Sequence, residues 1–210
     1  MIEAISWLLA AYLLGSIPAS YLAGRWFAGV DLREHGSRNL GATNLYRTLG
    51  WKFAIPVGLF DVAKGAIPTL LVASRADGLP LLPSLCGLAA VVGHTLSPFV
   101  GFRGGKGVAT AAGMLLALTP AAVGVVGLLW LVLVRLTGYV SLGSVAAAAA
   151  FPLADWALQP GRRNPADLGL DCLLAGFIIW KHRENISRLL AGTENRFGHR
   201  RQPPSAAASP

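Results

Sequence analysis

Charge is what this 210-residue chain has least of: only 13% of its residues are Asp, Glu, Lys or Arg, against about 25% in a soluble globular domain. A surface that poor in charge is not built to meet water on all sides. Cysteine is scarce too. Cys86 and Cys172 are the only two, each inside an apolar stretch and neither with a second Cys or a His at ligand spacing. Neither cysteine supports a disulfide framework, a metal site or dithiol redox chemistry, and both read as small buried hydrophobes. Residues 1–24 contain no Lys or Arg and carry Glu3, the wrong charge for the n-region of a secretory signal. Residues 3–24 therefore read as a retained first span. Three signatures are also missing. There is no G-x-S-x-G nucleophile elbow and no His followed five residues later by Asp. The glycine-rich stretch near Lys106 is not an ATP-binding loop, because Val100 and Gly107 stand where that loop needs Gly and Ser or Thr.

What is present is apolar. Hydrophobic residues make up 54% of the chain, in uncharged stretches at about 3–24, 53–74, 79–100, 107–119, 120–136, 138–158 and 166–181. Runs of this kind mark membrane spans, and a span must be helical so that each backbone amide is satisfied within its own segment. Whether 107–136 is one helix or two is decided by charge. Basic residues cluster at 25–52, at 101–107 (Arg103, Lys106) and at 181–201, and the positive-inside rule puts all three clusters in the cytoplasm. An even number of crossings must then separate Lys106 from the tail, which requires a break at Thr119-Pro120; Pro is also at home in the first turn of a new helix. The expected fold is an all-α integral membrane protein with seven transmembrane helices, N-terminus outside and C-terminus cytoplasmic. It forms a single polytopic domain over 1–201 with a disordered tail over 202–210.

The net charge of +8 does not point to nucleic acid. Its basic residues are scattered through loops between spans rather than gathered on one face of a folded domain, a distribution that suits topology and anionic headgroups.

Three polar stretches fall on the same membrane side. The first runs from His35 to Arg47 and holds Ser37, Asn39, Thr43, Asn44 and Arg47 among glycines. If 42–50 is helical, Thr43, Asn44 and Arg47 share a hydrogen-bonding face. The second is Arg103-Gly104-Gly105-Lys106-Gly107, directly before a helix. Glycines let backbone amides converge on an anion, a helix N-terminus adds unpaired N–H groups, and Lys106 adds a full charge, so Gly104, Gly105, Lys106 and Gly107 read as a phosphate site. The third stretch follows the last span: His182, Asn185 and Arg188 lie three apart on one helix face, with Gly192-Thr193-Glu194 after them. Within the spans, Asp61 and Lys64 stand at i, i+3 and either pair with each other or serve function. His94, near the cytoplasmic end of the third span, is either a buried, hydrogen-bonded structural histidine or a catalytic one, and Ser141 and Ser144 stand at the cytoplasmic start of the sixth helix, within reach of the polar cluster.

Taken together, these pieces resemble the bacterial membrane acyl-phosphate:glycerol-3-phosphate acyltransferase family. They run in order: Gly15-Ser16-Ile17-Pro18; Gly36-Ser37 with Asn39 and Gly41-Ala42-Thr43-Asn44; Asp61 with Lys64-Gly65; Gly93-His94; Gly104 to Thr110; His182-Arg183-Glu184-Asn185-Ile186; and Gly192-Thr193-Glu194. Arg38 stands where the family often has Gly, and Ser97 where it commonly has Pro. The resemblance implies transfer of an acyl group from acyl phosphate to the 1-hydroxyl of glycerol 3-phosphate, at the cytoplasmic face of a bacterial inner membrane, with no cofactor and no metal. It implies His182, Asn185, Lys106 and Ser37 as catalytic residues. Ser37, Thr43, Asn44, Arg47, Gly104, Gly105, Lys106 and Gly107 would hold phosphate, and Ser144 and His94 would touch substrate. The expected partners are glycerol 3-phosphate, acyl phosphate and membrane lipid; the oligomeric state stays open. So does the general base, which is either His182 or the donor's own phosphate. A transporter or exchanger of a phosphorylated metabolite is the competing class, since it would use the same basic cluster. Against it, the polar residues gather on one membrane side, whereas transporters place their sites near the midplane.

Overall fold

In the computed structural model of the chain, residues 2–74, 78–162 and 164–197 are described, and all regular structure among them is helical. Ten α-helices follow one another: α1 Ile2–Ser16, α2 Ala19–Ala28, α3 Ala42–Leu49, α4 Trp51–Ala73, α5 Leu82–Thr95, α6 Val108–Leu118, α7 Pro120–Thr137, α8 Val140–Leu158, α9 Pro165–Lys181 and α10 Arg183–Leu190. The expected tail at 202–210, and Arg163, Arg200 and Arg201, lie outside the described residues.

Among the described residues, five segments are long and apolar enough to cross a membrane: Ile2–Ala28, which α1 and α2 share, and α4, the stretch Leu82–Val100, α7 and α8. The eleven-residue α6 and seventeen-residue α9 are shorter. Leu9, Leu59, Leu70, Leu128, Leu153 and Leu173 turn outward from these helices with more than half of their surface uncovered. That many exposed leucines would be costly in water and cost nothing against lipid tails. Cys86 is buried as expected, whereas Cys172 is exposed on α9, because it falls on the outer side of a helix whose buried residues are Asp167, Asp171, Leu174, Ala175 and Ile178.

Local chemistry sets the breaks. Helix α6 ends at Leu118 and α7 begins at Pro120, with Thr119 between them in a non-helical conformation (φ −145°, ψ 62°). The break expected at Thr119-Pro120 is there: Pro120 has no N–H to continue α6, yet fits the first turn of α7. Helix α9 starts at an Asn164 cap whose side chain accepts from the Ala166 and Asp167 amides at 3.0 Å each.

Glycine brings backbones together in the absence of a hydrophobic drive between helices. Gly15 of α1 lies on the Ala90 backbone of α5, and Gly65 of α4 on Thr110 of α6; a Cβ at either position would run into a carbonyl. These contacts make α1, α4, α5 and α6 one tight group. Helices α6 to α9 form a second group around Val91, Met114, Leu115, Val126, Phe151 and Leu174. The polar stretches fold over the shared end of both.

Candidate functional site

Helix α3 and the loop before it make one side of the site. Asn44, fully buried on α3, is committed to that loop. Its amide nitrogen donates to the Leu32 and His35 carbonyls at 3.2 and 3.0 Å, and its Oδ1 accepts the Ser37 amide at 2.8 Å. A phosphate asks for donors, and Asn44 has spent both. Asn44 thereby fixes Ser37 and the loop before α3, while lining the cavity. Thr43 and Arg47 keep their polar ends on the same face, as the helical spacing implies. Arg47 Nη2 donates to the Asn195 carbonyl at 3.2 Å, while its buried Nε has no partner. Burial lowers the Arg47 pKa without bringing it near neutrality. The Arg38 backbone takes φ 57°, a left-handed conformation that glycine adopts without strain, which accounts for the family's Gly there. Ser97 donates to the Ser16 carbonyl at 2.6 Å, a bond no proline side chain replaces.

The glycine-rich loop works differently from its expected role. The Gly104 and Gly105 amides point to the Thr95 and His94 carbonyls, both at 3.1 Å, so they satisfy the end of α5 rather than an anion. A Cβ on Gly104 would meet the His94 and Thr95 backbone, and one on Gly105 the His94 ring and the Leu40 carbonyl. Both glycines stand where a side chain would not fit, with their amides already bonded within the protein. The uncapped helix start lies two residues on. Gly107, at φ 80°, precedes α6 with no side-chain cap, which leaves the first N–H groups of α6 without an intrahelical partner. Lys106 enters the site beside them. Its ammonium donates to Asn185 Oδ1, and burial brings its pKa down to about 8.

The third side is a network that converges on Glu194. Ser141 Oγ and Asn185 Nδ2 donate to Glu194 Oε1 at 2.9 and 2.7 Å, and Arg188 Nε donates to Oε2 at 2.8 Å. Burial alone would raise the Glu194 pKa, but these three hydrogen bonds outweigh it and hold the carboxyl below its usual value. His182 caps the junction of α9 and α10. Its Nδ1 lies 2.8 Å from the Ile178 carbonyl, so Nδ1 carries the proton and Nε2 keeps a lone pair. Burial, aided by the Lys106 charge, pushes the His182 pKa down to about 4, so the ring is neutral at physiological pH.

These three sides enclose one end of a cavity of about 450 Å³. Ser37, Thr43, Arg47, Lys106, His182 and Asn185 all line it, as do Asn39, Asn44, Gly107, His94 and Ser144. Of the expected site residues, only Gly104 and Gly105 do not reach it. Ser144 bonds to the Val140 carbonyl at 2.9 Å and accepts from Trp130 Nε1 at 3.3 Å, placing it where the polar end turns apolar. From there the walls are aliphatic and aromatic, supplied by α6, α7, α8 and α9. One end can hold a phosphorylated, hydroxyl-bearing head and the other a hydrocarbon tail.

Ser141 is expected within reach of the polar cluster, but Glu194 is not among the expected site residues. Glu194 lies far along the chain from Lys106 and Ser141, and its spacing carries no ligand signature; only its presence in the Gly-Thr-Glu run hinted at it. Asp61 and Lys64 do pair, at 2.7 Å, and Lys64 also donates to the Ile17 carbonyl at 3.0 Å. The Asp61 carboxylate lies 3.5 Å from His94 Nδ1.

Residues 5–192 match the family described as Glycerol-3-phosphate acyltransferase. A glycerol-3-phosphate acyltransferase of Trichlorobacter lovleyi is 46% identical, with 94% of this chain and 99% of that protein aligned. One of Chlorobaculum parvum is 40% identical over 95% of this chain and all of its own length. Among solved structures, PlsY, an integral membrane glycerol 3-phosphate acyltransferase, matches in its glycerol 3-phosphate form with a TM-score of 0.86 at 40% identity, covering 93% of this chain and 96% of that one. Its lysophosphatidic acid form matches with a TM-score of 0.83 at 38% identity, over the same shares of both chains.

Proposed function

Because the chain belongs to the glycerol-3-phosphate acyltransferase family, we propose that it moves a fatty acyl group from an acyl phosphate to the 1-hydroxyl of glycerol 3-phosphate, releasing lysophosphatidic acid and inorganic phosphate. The observation that carries this reading is the cavity with two characters: Lys106, Arg47 and the uncapped start of α6 at one end, hydrocarbon walls at the other.

An acyl phosphate is an activated mixed anhydride, so positioning and charge stabilisation do most of the work. Lys106, Arg47, Thr43 and Ser37 hold phosphate oxygens through charge-assisted and hydroxyl hydrogen bonds. The acceptor's 1-hydroxyl oxygen attacks the acyl carbonyl carbon, the carbonyl–phosphate bond breaks, and phosphate leaves with the electron pair. The hydroxyl proton passes to His182 Nε2 or directly to the departing phosphate. Asn185, held between Lys106 and Glu194, orients the Lys106 ammonium.

The membrane arrangement belongs to the same proposal. The seven apolar helical segments cross a bacterial inner membrane, with the N-terminus outside and the C-terminus in the cytoplasm. Residues 1–201 form one domain ahead of the tail at 202–210. Two observations support it: the helix break at Thr119 and the gathering of Ser37, Lys106 and Asn185 on one cavity. Cysteines introduced at those three positions should resist a membrane-impermeant reagent in intact cells and react in inverted vesicles.

The activity is tested with purified protein, glycerol 3-phosphate and either palmitoyl phosphate or palmitoyl-CoA. Lysophosphatidic acid and phosphate should appear in equal amounts from the acyl phosphate and not from the thioester. Passage of glycerol 3-phosphate into liposomes with no acylated product would overturn the proposal.

A further inference from the structure

The hydrocarbon end of the cavity is walled by four helices, and its lining ends at one residue on each. Its deepest lining residues are Leu115 on α6, Val123 on α7, Phe151 on α8 and Leu174 on α9. Phe151 is the largest of them and is almost wholly buried, packed into the cluster that holds Leu115, Val126 and Leu174. One helical turn further from the polar end, the chemistry changes. Thr119 stands four residues beyond Leu115, Asp155 four beyond Phe151 and Asp171 three before Leu174, and all three are buried. A hydrocarbon pushed past Phe151 would leave an apolar wall for buried polar groups, which are costly to strip of their partners.

We propose that Phe151 is the floor of the acyl channel and sets how many carbons of the donor's chain the protein encloses. The inference rests on the acyl-transfer reading and deepens it by naming the part of the substrate this residue measures. Helix geometry gives the depth. Ser141 and Phe151 are ten residues apart on α8, and Leu115 on α6 lies eight residues beyond Gly107, which precedes that helix. At about 1.5 Å per residue these are roughly 15 and 12 Å. An extended alkyl chain, with C–C bonds of about 1.5 Å at tetrahedral angles, advances about 1.25 Å per carbon, so about ten to twelve carbons fit. Carbons beyond that depth must turn out beside Gly127, an exposed glycine of α7 that lines the cavity, and lose the apolar contacts of the channel.

Ala148 provides a second handle. It lines the channel three residues before Phe151, so a larger side chain there raises the floor by about one turn, while a smaller one at Phe151 lowers it. The measurement is the ratio of kcat/KM for palmitoyl phosphate to that for decanoyl phosphate in one detergent. Ala148→Leu should lower the ratio about tenfold, the scale on which a filled apolar pocket rejects extra methylenes. Phe151→Ala should raise it, and Phe151→Leu, which empties less of the core, should move it the same way by less. An active set of variants whose ratios stay at the wild-type value, or all move one way, overturns the floor alone. A wild-type chain that acylates glycerol 3-phosphate with neither donor overturns the acyl-transfer reading, and the floor with it.

Discussion

Asn185 and Glu194 meet through a 2.7 Å hydrogen bond from the amide nitrogen to the carboxylate, and the bond decides which way Asn185 faces. With its N–H end turned to Glu194, its Oδ1 is left for the Lys106 ammonium. Ser141 and Arg188 hold the carboxylate from two further directions, so Glu194, through Asn185, sets the aim of the cation proposed to hold phosphate.

Glu194→Gln should therefore damage activity well beyond the loss of one charge. The new amide puts N–H groups where Asn185, Ser141 or Arg188 already donates, and hydrogen bonds to a charged group are worth about 1.5–3 kcal/mol each. A drop in kcat/KM of about tenfold or more is expected, together with a lower thermal midpoint. Wild-type values for both would remove Glu194 from the network's centre.

The pH dependence follows from Lys106. A lysine with a pKa of about 8 is charged below that pH and neutral above it, and only the charged form holds phosphate well. The kcat/KM for glycerol 3-phosphate should therefore fall as pH rises through about 8, by about tenfold per further unit. Lys106→Arg, which stays charged, should abolish that alkaline limb even where it lowers the plateau. An alkaline limb that survives in Lys106→Arg assigns the titration to another group. His182, neutral above about pH 4, adds no limb between pH 5 and 8 (sign: a base already deprotonated has no proton left to lose).

Arg47→Lys tests geometry at constant charge. The guanidinium bonds to the Asn195 carbonyl through one nitrogen and keeps a second, Nε, without a partner, a fork that a lysine cannot reproduce. The KM for glycerol 3-phosphate should rise about tenfold and that for acyl phosphate less, the loss of a charge-assisted bond being about 1.5–3 kcal/mol. Arg47 reverts to a topological marker if acceptor KM is unaltered, since Lys and Arg count alike in the positive-inside rule.

Asn44→Ala should act on stability first. It removes three hydrogen bonds from the 32–37 loop and leaves a buried carbonyl unpaired, a cost of about 1–3 kcal/mol. Faster proteolysis or hydrogen exchange across residues 32–40 is the expected signature. Intact protection there, with a raised KM alone, would return Asn44 to direct ligand binding.

Much of this protein was legible in its sequence because lipid leaves few choices. Long uncharged runs must become helices, and Pro120 must interrupt the pair around it. The polar stretches also betrayed themselves by their cost: Ser37, Arg47, Lys106, His182 and Asn185 stood out from an apolar background and do line one cavity. What needed the tertiary structure was the direction of each hydrogen bond. Gly104 and Gly105 looked like an anion cradle because glycine frees backbone amides, yet those amides face the His94 and Thr95 carbonyls; spacing along a loop does not say where an N–H points. Asn44 carried donors suited to phosphate and uses them on its own loop, because Leu32, His35 and Ser37 come within reach only once the chain turns back. Glu194 became central for the same reason. It is 53 residues from Ser141 and nine from Asn185, separations no local pattern records, and only the packing of α8 against α10 brings their polar atoms together. Composition and periodicity settle which residues avoid water or lipid; which polar groups satisfy one another is a three-dimensional matter, since a hydrogen bond needs contact at about 2.9 Å.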